Sequence, residues 1–419
     1  MKSVVWKRLL WAIIFLFCGI ILATLLIVLV YALPTGRMRD NVNNSIDLFK
    51  TEGDYKELIP GIYVGKLDNY TDSVMLAQAI YDGEESVSIK AMNVMARMSK
   101  GKNYRESLIE YLDNGKSDGV HEYFWYWHGY MIYLKPLLLF FDYANIRLLN
   151  MAFVFITILF LGYEMYKRGV GKYIIPFGLA LFLLSPITIM MSLQFSSCFY
   201  MMMLGNIVLL HFYDVLMDKK MYMFVFLFIG MGTSFFDFLT YPVVTLGIPL
   251  IWFFILNTNK SLWNMFKDFF VNTCFWGIGY VGMWCGKWAI ASVILRKNCF
   301  IQAINKIMAH TSVDENITIA EVFRRNFEWT SERAYQVVMI AFLILLIVWL
   351  IKTGVDIVNL KCIIPILIIM LFPIAWYFFA SSHAYFHYWM EYRECIVLIF
   401  GFYSVLLKLQ KTTVFSLQK

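Results

Sequence analysis

Residues 9–33 read LLWAIIFLFCGIILATLLIVLVYAL, a run without a single charged side chain. A helix that crosses the hydrocarbon core of a bilayer needs about 20 mostly apolar residues, so this run predicts a transmembrane helix. Lys2, Lys7 and Arg8 precede it, as they would in a secretory signal peptide. Because the apolar part of a signal peptide spans only ~7–15 residues, we expect an anchor that is retained.

The rest of the chain has the same apolar character. Hydrophobic residues make up 60% of the 419 residues, charged residues make up 16%, and the mean hydropathy is +0.64. Soluble domains are roughly 45–50% apolar and about 25% charged, so an ordinary soluble enzyme, a disordered chain and a disulfide scaffold are excluded. The net charge of +7 indicates basic loops on one side of a membrane and no nucleic-acid partner.

Ten apolar segments are candidates for transmembrane helices. They lie at 9–33, 145–166, 173–193, 197–217, 222–238, 239–257, 269–291, 336–351, 362–380 and 394–408. A further run, 131–141, is too short to cross a bilayer and predicts an interfacial or re-entrant segment. The sequence therefore predicts an all-α polytopic membrane protein with about ten transmembrane helices.

Basic residues are concentrated in the loops that share a side with the N-terminus, such as 167–172 and 219–220. Cytoplasmic loops carry such an excess, so we expect a multi-pass protein of the cell membrane with both termini in the cytoplasm. The chain then divides into a cytoplasmic end and first span (1–33), an extracytoplasmic loop (34–130), spans two to seven with the interfacial segment (131–294), a second extracytoplasmic loop (295–335), and spans eight to ten with the cytoplasmic C-terminus (336–419). In the first loop, helices are predicted at Ser73–Tyr81 and Ser86–Met98.

The first of four polar clusters is LDNYTDSVML, residues 67–76, in the first predicted loop. Asp68 and Asp72 are four residues apart, so a helix would place both carboxylates on one face. Adjacent carboxylates raise the pKa of one of them, which suits a general base, or they bind a divalent cation. Asp and Thr are also preferred helix N-caps, so the alternative is a structural role.

The second cluster is YFWYWHGY, residues 123–130, which Lys135 follows five residues later. Such a density of aromatic residues is typical of the headgroup interface of a membrane. The alternative is a binding site in which Tyr126 and Trp127 stack on a sugar and His128 transfers a proton or binds phosphate.

The third cluster is SFFDFLTYP, residues 234–242, at a predicted turn between two spans. Asp237 lies among aromatic residues there, and a desolvated carboxylate needs a hydrogen-bonding partner. The pattern leaves two roles open for Asp237, a cap of the turn and a residue of a binding site.

The fourth cluster is HAYFHYWMEYR, residues 383–393. His383, His387 and Glu391 would share one face of a helix, and two His at this spacing can bind zinc. The HExxH motif is absent and no third ligand stands out, so interfacial packing or contacts with a phosphate or sugar are the stronger alternatives. Arg393 is well suited to hold a phosphate in a partly dry site.

All four clusters fall on the predicted extracytoplasmic side, at the depth of the lipid headgroups. The positions of Lys and Arg in the loops predict the topology that places the clusters there, independently of the clusters themselves. No strong ionisable candidate lies at the centre of a predicted span, where an ion-coupled transporter would be expected to carry one. The clusters therefore predict a site at the outer membrane surface for an amphiphilic substrate that presents a phosphate.

This layout resembles the GT-C superfamily of integral-membrane glycosyltransferases, whose members have many spans and a long first outside loop with acidic residues. The motifs LDNYTD, YWHGY, FDFLTYP and HAYFH with a following YR are also similar to uncharacterised multi-span proteins of Gram-positive bacteria. The resemblance in layout extends over most of the chain, whereas the similarity of the motifs is limited to a small part of it. The resemblance implies transfer of a sugar from a polyprenyl-phosphate-linked donor to a polysaccharide, teichoic acid, lipid or protein of the cell envelope on the extracytoplasmic face.

The resemblance also implies roles for individual residues. Asp68 or Asp72 is expected to be the catalytic base. The family often carries an acid pair separated by one residue, whereas three residues separate these two, which leaves a shared Mg²⁺ or Mn²⁺ open. Binding of the donor phosphate is expected of Arg393, Lys135, Arg147 and His128, and contacts with the sugar or acceptor are expected of Asp237, His383, His387, Tyr126, Trp127 and Glu391.

Three other classes of function are compatible with the sequence. A receptor or scaffold is one of them, and it predicts that the four clusters do not converge in space. A polysaccharide polymerase or ligase would use the same donor and should need an outside loop rich in Arg and His, such as 295–335 with Arg296, Arg324, Arg325 and His310. A membrane transporter or lipid flippase predicts a polar path that continues to the inner face. If the four clusters form one binding site, their residues must lie close together in the folded protein.

Overall fold

The computed structural model describes residues 2–257, 261–311, 317–355 and 357–410, with the side chains of these ranges except those of residues 2–4, 63 and 357–359. Residues 312–316 of the predicted second loop and 411–419 of the predicted cytoplasmic C-terminus lie outside the described residues. In the described ranges the chain forms 23 α-helices, several short 3₁₀ segments and one two-stranded antiparallel sheet. The predicted all-α class is confirmed.

The helices and strands have the following bounds. Up to residue 138 the chain contains α1 (Lys2–Tyr31), α2 (Gly36–Asn43), α3 (Ile46–Glu52), α4 (Asn69–Ala79), α5 (Val87–Asn93), β1 (Ala96–Met98), α6 (Tyr104–Asn114), β2 (Gly119–His121) and α7 (Met131–Leu138). The middle contains α8 (Tyr143–Lys167), α9 (Ile174–Leu183), α10 (Pro186–Met191), α11 (Leu193–His211), α12 (Tyr213–Asp218), α13 (Tyr222–Phe236), α14 (Val244–Leu256) and α15 (Leu262–Leu295). The last part contains α16 (Cys299–Thr311), α17 (Ile319–Asn326), α18 (Arg333–Thr353), α19 (Ile364–Ile369), α20 (Phe372–Phe379), α21 (Ser381–Phe386), α22 (Tyr388–Glu391) and α23 (Ile396–Lys408).

Several of these helices have the length and composition of membrane spans. In the described ranges 6 helices are long and apolar enough to cross a bilayer, namely α1, α8, α11, α15, α18 and the segment Leu360–Phe379 that contains α19 and α20. Shorter apolar helices occupy Gly171–Leu183, α13 and α14. The protein is therefore polytopic and suited to a lipid bilayer, while the count of ten spans stays a prediction.

Breaks in the helices explain why some predicted spans are not single long helices. The predicted third span divides between α9 and α10 at Ser185, whose φ of 52° is left-handed and which Pro186 follows. Proline lacks the N–H that continues a helical hydrogen-bond ladder. The predicted ninth span likewise divides between α19 and α20, each of which has a proline in its first turn.

The predicted first extracytoplasmic loop folds into a small subdomain made of α2 to α6 and the antiparallel pair β1–β2, which α6 connects. The predicted interfacial segment 131–141 forms the short helix α7 that follows it. The helix predicted at Ser73–Tyr81 starts earlier, at Asn69, because the side chain of Asp68 caps it. The helix predicted at Ser86–Met98 is wrong beyond Asn93. Val94 adopts a left-handed φ of 47° that ends α5, and residues 96–98 pair with residues 119–121 as a strand.

The subdomain is attached to the bundle through α15. The backbones of α13 and α15 approach so closely that a Cβ on Gly230 would lie 2.1 Å from Trp276 O, and one on Gly279 would lie 2.2 Å from Leu227 O. Small residues allow this kind of contact between membrane helices. Near the last turns of α15, Lys287 Nζ donates to Met92 O in α5 at 2.9 Å. We call the end of the bundle that contacts the subdomain the loop end. Helices α1, α13 and α15 end there, and α8, α11 and α14 begin there.

Candidate functional site

A cavity of about 300 Å³ lies at the loop end of the bundle, and we call it the polar cavity. All four sequence clusters contribute to its wall. The lining consists of Tyr55, Tyr70, Thr71, Val74, Tyr104, His121, Tyr123, Trp125, Tyr126, Gln194, Phe238, Leu239, Lys306, His310, His383, His387, Trp389 and Met390. Segments that are more than 300 residues apart in sequence therefore meet at one place.

The first cluster is fixed against the start of α11. Asp68 Oδ1 accepts from Thr71 N at 2.9 Å, and its own N–H donates to Ser192 Oγ at 3.1 Å. Asp72 accepts from Leu193 N at 2.9 Å and from Gln194 N at 3.0 Å, and the Tyr143 hydroxyl also donates to it. A carboxylate at a helix N-terminus satisfies amides that have no partner within the helix. Asp72 is thus engaged in joining α4 to α11.

The second cluster divides between the cavity and the protein interior. Tyr126 lines the cavity. Trp127 Nε1 instead donates to Met283 O at 2.7 Å, and the two ring nitrogens of His128 lie 2.8 Å from Tyr130 Oη and 2.8 Å from Tyr123 O. Burial lowers the pKa of His128 to about 3, so the ring is neutral and braces the loop that carries Tyr126.

The next residue explains why this loop contains a glycine. The N–H of Gly129 donates to Phe235 O at 2.8 Å, and a Cβ on Gly129 would lie 2.5 Å from that oxygen. No other residue could hold the second cluster this close to the third.

The third cluster forms a turn whose cap is Asp237. The carboxylate accepts from Leu239 N at 2.9 Å and Thr240 N at 2.8 Å, and it also accepts from the Thr240 hydroxyl. This arrangement holds Leu239 at a φ of 73°. It directs the Leu239 carbonyl to His383 Nε2, 2.7 Å away. Asp237 therefore positions a wall of the cavity without lining it.

The fourth cluster brings three imidazole rings together. The ring of His383 lies 4.5 Å from that of His387 and 4.8 Å from that of His310, measured between centroids. The helix breaks at His387, between α21 and α22, yet Glu391 Oε1 still lies 3.2 Å from His383 Nε2. Burial lowers the pKa of both His383 and His310 to about 4, so the cluster is neutral at pH 7.

The cavity wall contains buried polar atoms that make no hydrogen bond within the described part of the chain. They are Gln194 Oε1, His383 Nδ1 and His387 Nδ1. Because His383 Nε2 donates to Leu239 O, its Nδ1 must be an acceptor. Buried polar groups are normally paired. Unpaired polar atoms around one cavity therefore favour a ligand that supplies hydrogen-bond donors.

Asp68 does not line the cavity itself, but Tyr70 and Thr71, which follow it in the chain, do. Its carboxyl group is buried and interacts with the side chain of Trp389, which also lines the cavity. Burial raises the pKa of Asp68 to about 7, an effect that hydrogen bonds from Thr71 and Trp389 partly offset. A carboxyl group with a pKa near neutrality has the properties of a general base. Of the two predicted candidates, the geometry favours Asp68.

The basic residues expected to bind phosphate lie elsewhere, in contact with protein groups. Arg147 forms a buried ion pair with Glu52 at 3.0 Å and donates to Asn69 Oδ1 at 2.6 Å. Lys135 Nζ donates to Ala79 O at 2.6 Å and lies 4.9 Å from the centre of the Tyr31 ring. None of the basic residues predicted to bind phosphate lines the polar cavity.

Arg393 is the most enclosed of them. Its Nε, Nη1 and Nη2 donate to Leu184 O at 3.2 Å, Trp389 O at 2.9 Å and Thr188 Oγ1 at 2.9 Å. Its guanidinium also stacks on Phe195 at 3.8 Å. We refer to Asp72, His128, Lys135, Arg147 and Arg393 as the scaffold residues. They hold the helices around the cavity.

Among the described residues of the cavity wall, Lys306 is the one Lys or Arg, and it belongs to none of the four sequence clusters. It lies on α16, and its ammonium is 5.3 Å from the centre of the Trp125 ring. On the same helix Ile301, Ile304 and Met308 are exposed, as expected for an amphipathic helix at a membrane surface. That amphipathic pattern is the sequence signal that could have indicated Lys306.

An apolar groove of about 280 Å³ adjoins the polar cavity. Its walls are Tyr280, Val281, Trp284 and Trp288 of α15, Ala303, Ile307 and Thr311 of α16, and Trp376, Phe379 and Ala380 at the end of α20. It shares Trp125, Tyr126, Leu239, Lys306 and His310 with the polar cavity. A polar chamber thus continues into an apolar one, with a cation where they meet.

In the described residues no group of three or more His, Cys, Asp and Glu side chains could hold a metal ion. Both oxygens of Asp72 accept hydrogen bonds from the protein. No protein-family model, curated protein or solved structure matches the chain.

Proposed function

We propose that this protein is an integral-membrane glycosyltransferase of the GT-C type. It would transfer a sugar from a polyprenyl-phosphate-linked donor to an acceptor of the cell envelope on the extracytoplasmic face of the plasma membrane. The proposal includes ten spans and two cytoplasmic termini, so that the loop end of the bundle faces outward. The positions of Lys and Arg along the sequence support this orientation.

The observation that carries the proposal is the continuity between the polar cavity and the apolar groove. A polyprenyl-phosphate sugar has a hydrocarbon chain, an anionic phosphate and a polyhydroxy head in that order. The groove, Lys306 with His310, and the cavity present matching surfaces in the same order. The groove lies among helices of the bundle, where the chain of a lipid could enter from the bilayer.

The chemistry requires few protein groups because the donor already contains an activated leaving group. Asp68 Oδ2 would accept the proton of an acceptor hydroxyl while the oxygen forms a bond to the anomeric carbon. The bond between that carbon and the phosphate oxygen would break, and its electron pair would leave with polyprenyl phosphate. Lys306 would stabilise this anion. No step depends on a metal ion.

A transfer assay with purified protein in lipid nanodiscs tests the proposal. Polyprenyl-phosphate donors with different labelled sugars are offered with a cell-envelope fraction, with added Mg²⁺ or a chelator. We expect release of polyprenyl phosphate and labelled product from at least one donor, and loss of both in the Asp68→Asn variant. The proposed reaction would be rejected if no donor in the panel reacts, and the assigned site would be rejected if Asp68→Asn reacts at the wild-type rate.

A further inference from the structure

A continuous series of aromatic ring contacts borders the polar cavity. It runs through Trp389, Tyr55, Tyr70, Tyr104, His121 and Tyr123, with successive centroid distances of 5.0, 6.2, 5.8, 5.6 and 5.9 Å. We call these six residues the aromatic arc. Every member lines the cavity, and none is fully buried. The arc is therefore a set of ring surfaces available to a ligand.

The arc is separate from the groove that we assign to the donor chain. The groove is lined by Trp125 and Tyr126 of the second cluster but by no member of the arc. The arc instead reaches the outer surface of the subdomain, where Tyr55 is 39% exposed and His121 is also exposed. A second substrate could approach the arc from water while the donor occupies the groove.

The side chains of the polar cavity wall indicate the chemical class of the second substrate. Lys306 is the only Lys, Arg, Asp or Glu among the lining residues that the structure describes. The other polar groups are neutral, and within the described residues buried acceptors such as Gln194 Oε1 and His383 Nδ1 are unpaired, while the hydroxyls of Tyr55, Tyr70 and Tyr104 can donate or accept. Carbohydrates have apolar C–H faces that stack on aromatic rings and hydroxyls that both donate and accept.

We infer that the aromatic arc is the acceptor subsite and that the acceptor is a carbohydrate with neutral sugar units, not a protein or a lipid. The inference rests on the proposed glycosyltransferase function and specifies its second substrate. Asp68 supports it by position, because it directly precedes Asn69 and Tyr70 in the chain and its carboxyl group interacts with Trp389, so that two members of the arc lie next to it. A sugar unit stacked on Tyr70 and Trp389 would bring a hydroxyl toward the carboxyl group of Asp68.

Binding of carbohydrate can be measured without donor and without turnover. Purified, labelled protein in nanodiscs is applied to an array of immobilised oligosaccharides, and the best binder is then titrated by following tryptophan fluorescence. Aromatic contacts contribute about 1 kcal/mol each beyond the area they bury, so the double variant Tyr70→Leu/Tyr104→Leu should bind about tenfold or more weakly. The Tyr70→Phe/Tyr104→Phe variant should bind within a few-fold of wild type.

A matched control is Tyr166→Leu, because Tyr166 on α8 is exposed but remote from the cavity. It should leave binding unchanged, and the thermal unfolding of each variant shows whether the protein is folded. The inference is overturned if no oligosaccharide binds, or if the Leu double variant binds a glycan as well as wild type. Glycan binding without transfer from any donor would support the arc and reject the proposed reaction, whereas transfer to a protein or lipid alone would reject the arc.

Discussion

The polar cavity and the scaffold residues around it contain similar kinds of side chain but use them differently. Among the scaffold residues, Arg393 donates through three nitrogens, Asp72 accepts from two backbone amides and a tyrosine, and both ring nitrogens of His128 have partners. In the cavity, His383, His387 and Gln194 each leave a buried polar atom unpaired within the described residues, whereas among the scaffold residues Arg147 leaves only its Nε unpaired. The comparison separates polar side chains that hold helices together from polar side chains of the cavity wall that keep an atom available.

Residues that look equivalent in the sequence can therefore have different roles in the structure. Asp68 and Asp72 are four positions apart in one motif, yet both oxygens of Asp72 accept from the backbone of α11, whereas Asp68 accepts within its own helix cap and interacts with Trp389 of the cavity wall. An unpaired buried polar group lowers stability by about 1–3 kcal/mol. A cavity that contains several such groups therefore gains stability when a polar ligand pairs with them.

Asp68→Asn is expected to lower the transfer rate by about 10²–10⁴-fold, the range that general base catalysis contributes. Asn keeps the cap of α4, because its amide oxygen can accept from Thr71 N. Rates at equal amounts of folded protein, with Asp72→Asn as the matched comparison, measure the effect. A rate close to that of wild type would remove Asp68 from the mechanism.

Arg147→Met is expected to lower the free energy of unfolding by about 3–5 kcal/mol, because it removes the buried partner of the Glu52 carboxylate. Both side chains are less than a tenth exposed. Only the exposed Lys56, 3.5 Å from Glu52 Oε1, then remains as an ion-pair partner. Denaturant unfolding in micelles measures this. Arg324→Met is the control, since Arg324 is exposed. Equal stability of the two variants would show that Arg147 is not a scaffold residue.

Asp72→Asn is expected to lower the free energy of unfolding by about 1–3 kcal/mol, because the amide cannot accept from all three of its present donors. The rate per folded molecule should stay close to that of wild type. The same unfolding and transfer measurements apply. The assignments of the two aspartates would be exchanged if Asp72→Asn were stable and inactive.

The pH dependence should follow the ionisation of Asp68. Its pKa of about 7 predicts a transfer rate that falls about tenfold between pH 8 and pH 6. Because the folded pKa lies above the ordinary value of 3.8, wild-type stability declines as pH rises from about 4 to about 7, by about 1.4 kcal/mol per pKa unit. Asp68→Asn should therefore be more stable than wild type at pH 8. A flat rate profile, or a less stable variant at pH 8, would contradict the raised pKa.

Lys306→Met is expected to lower kcat/KM for the donor several-fold, with kcat reduced as well as KM raised, because Lys306 would stabilise the charge that develops on the leaving phosphate. The effect is modest, since Lys306 is exposed and its charge is screened by water and salt. Kinetics at several donor concentrations measure the two constants. Lys116→Met, an exposed lysine of the subdomain, is the control. An equal effect of both substitutions would indicate a general electrostatic contribution and no specific phosphate site.

The fold class and the location of the site follow from hydrophobic segments and charge, which are visible in sequence. The segment 9–33 corresponds to α1, and residues of all four clusters reach one cavity. Helix ends and breaks were harder to predict, because they depend on contacts made by distant residues. Asp72 extends α11 to begin at Leu193, and pairing with residues 119–121 converts the end of a predicted helix into β1.

The roles of individual site residues were the least predictable part. Arg393 has the residue type and position of a phosphate ligand, but its guanidinium is occupied by carbonyls of segments that the sequence does not place beside it. Tyr55, Tyr104 and His121 line the cavity although they belong to no cluster. Their proximity arises from the packing of α6, the hairpin and the loop before α4. A local pattern carries no information about such packing.

The most direct test of the distinction between cavity and scaffold is a cryo-electron microscopy structure in nanodiscs with undecaprenyl phosphate. This polyprenyl phosphate is the leaving group of every undecaprenyl-linked donor, whichever sugar the donor carries. We predict that the chain lies in the groove between α15, α16 and α20 and that the phosphate lies next to Lys306 and His310, with the polar cavity beyond it. Density for the phosphate at Arg147, Lys135 or Arg393, with the groove empty, would contradict the account.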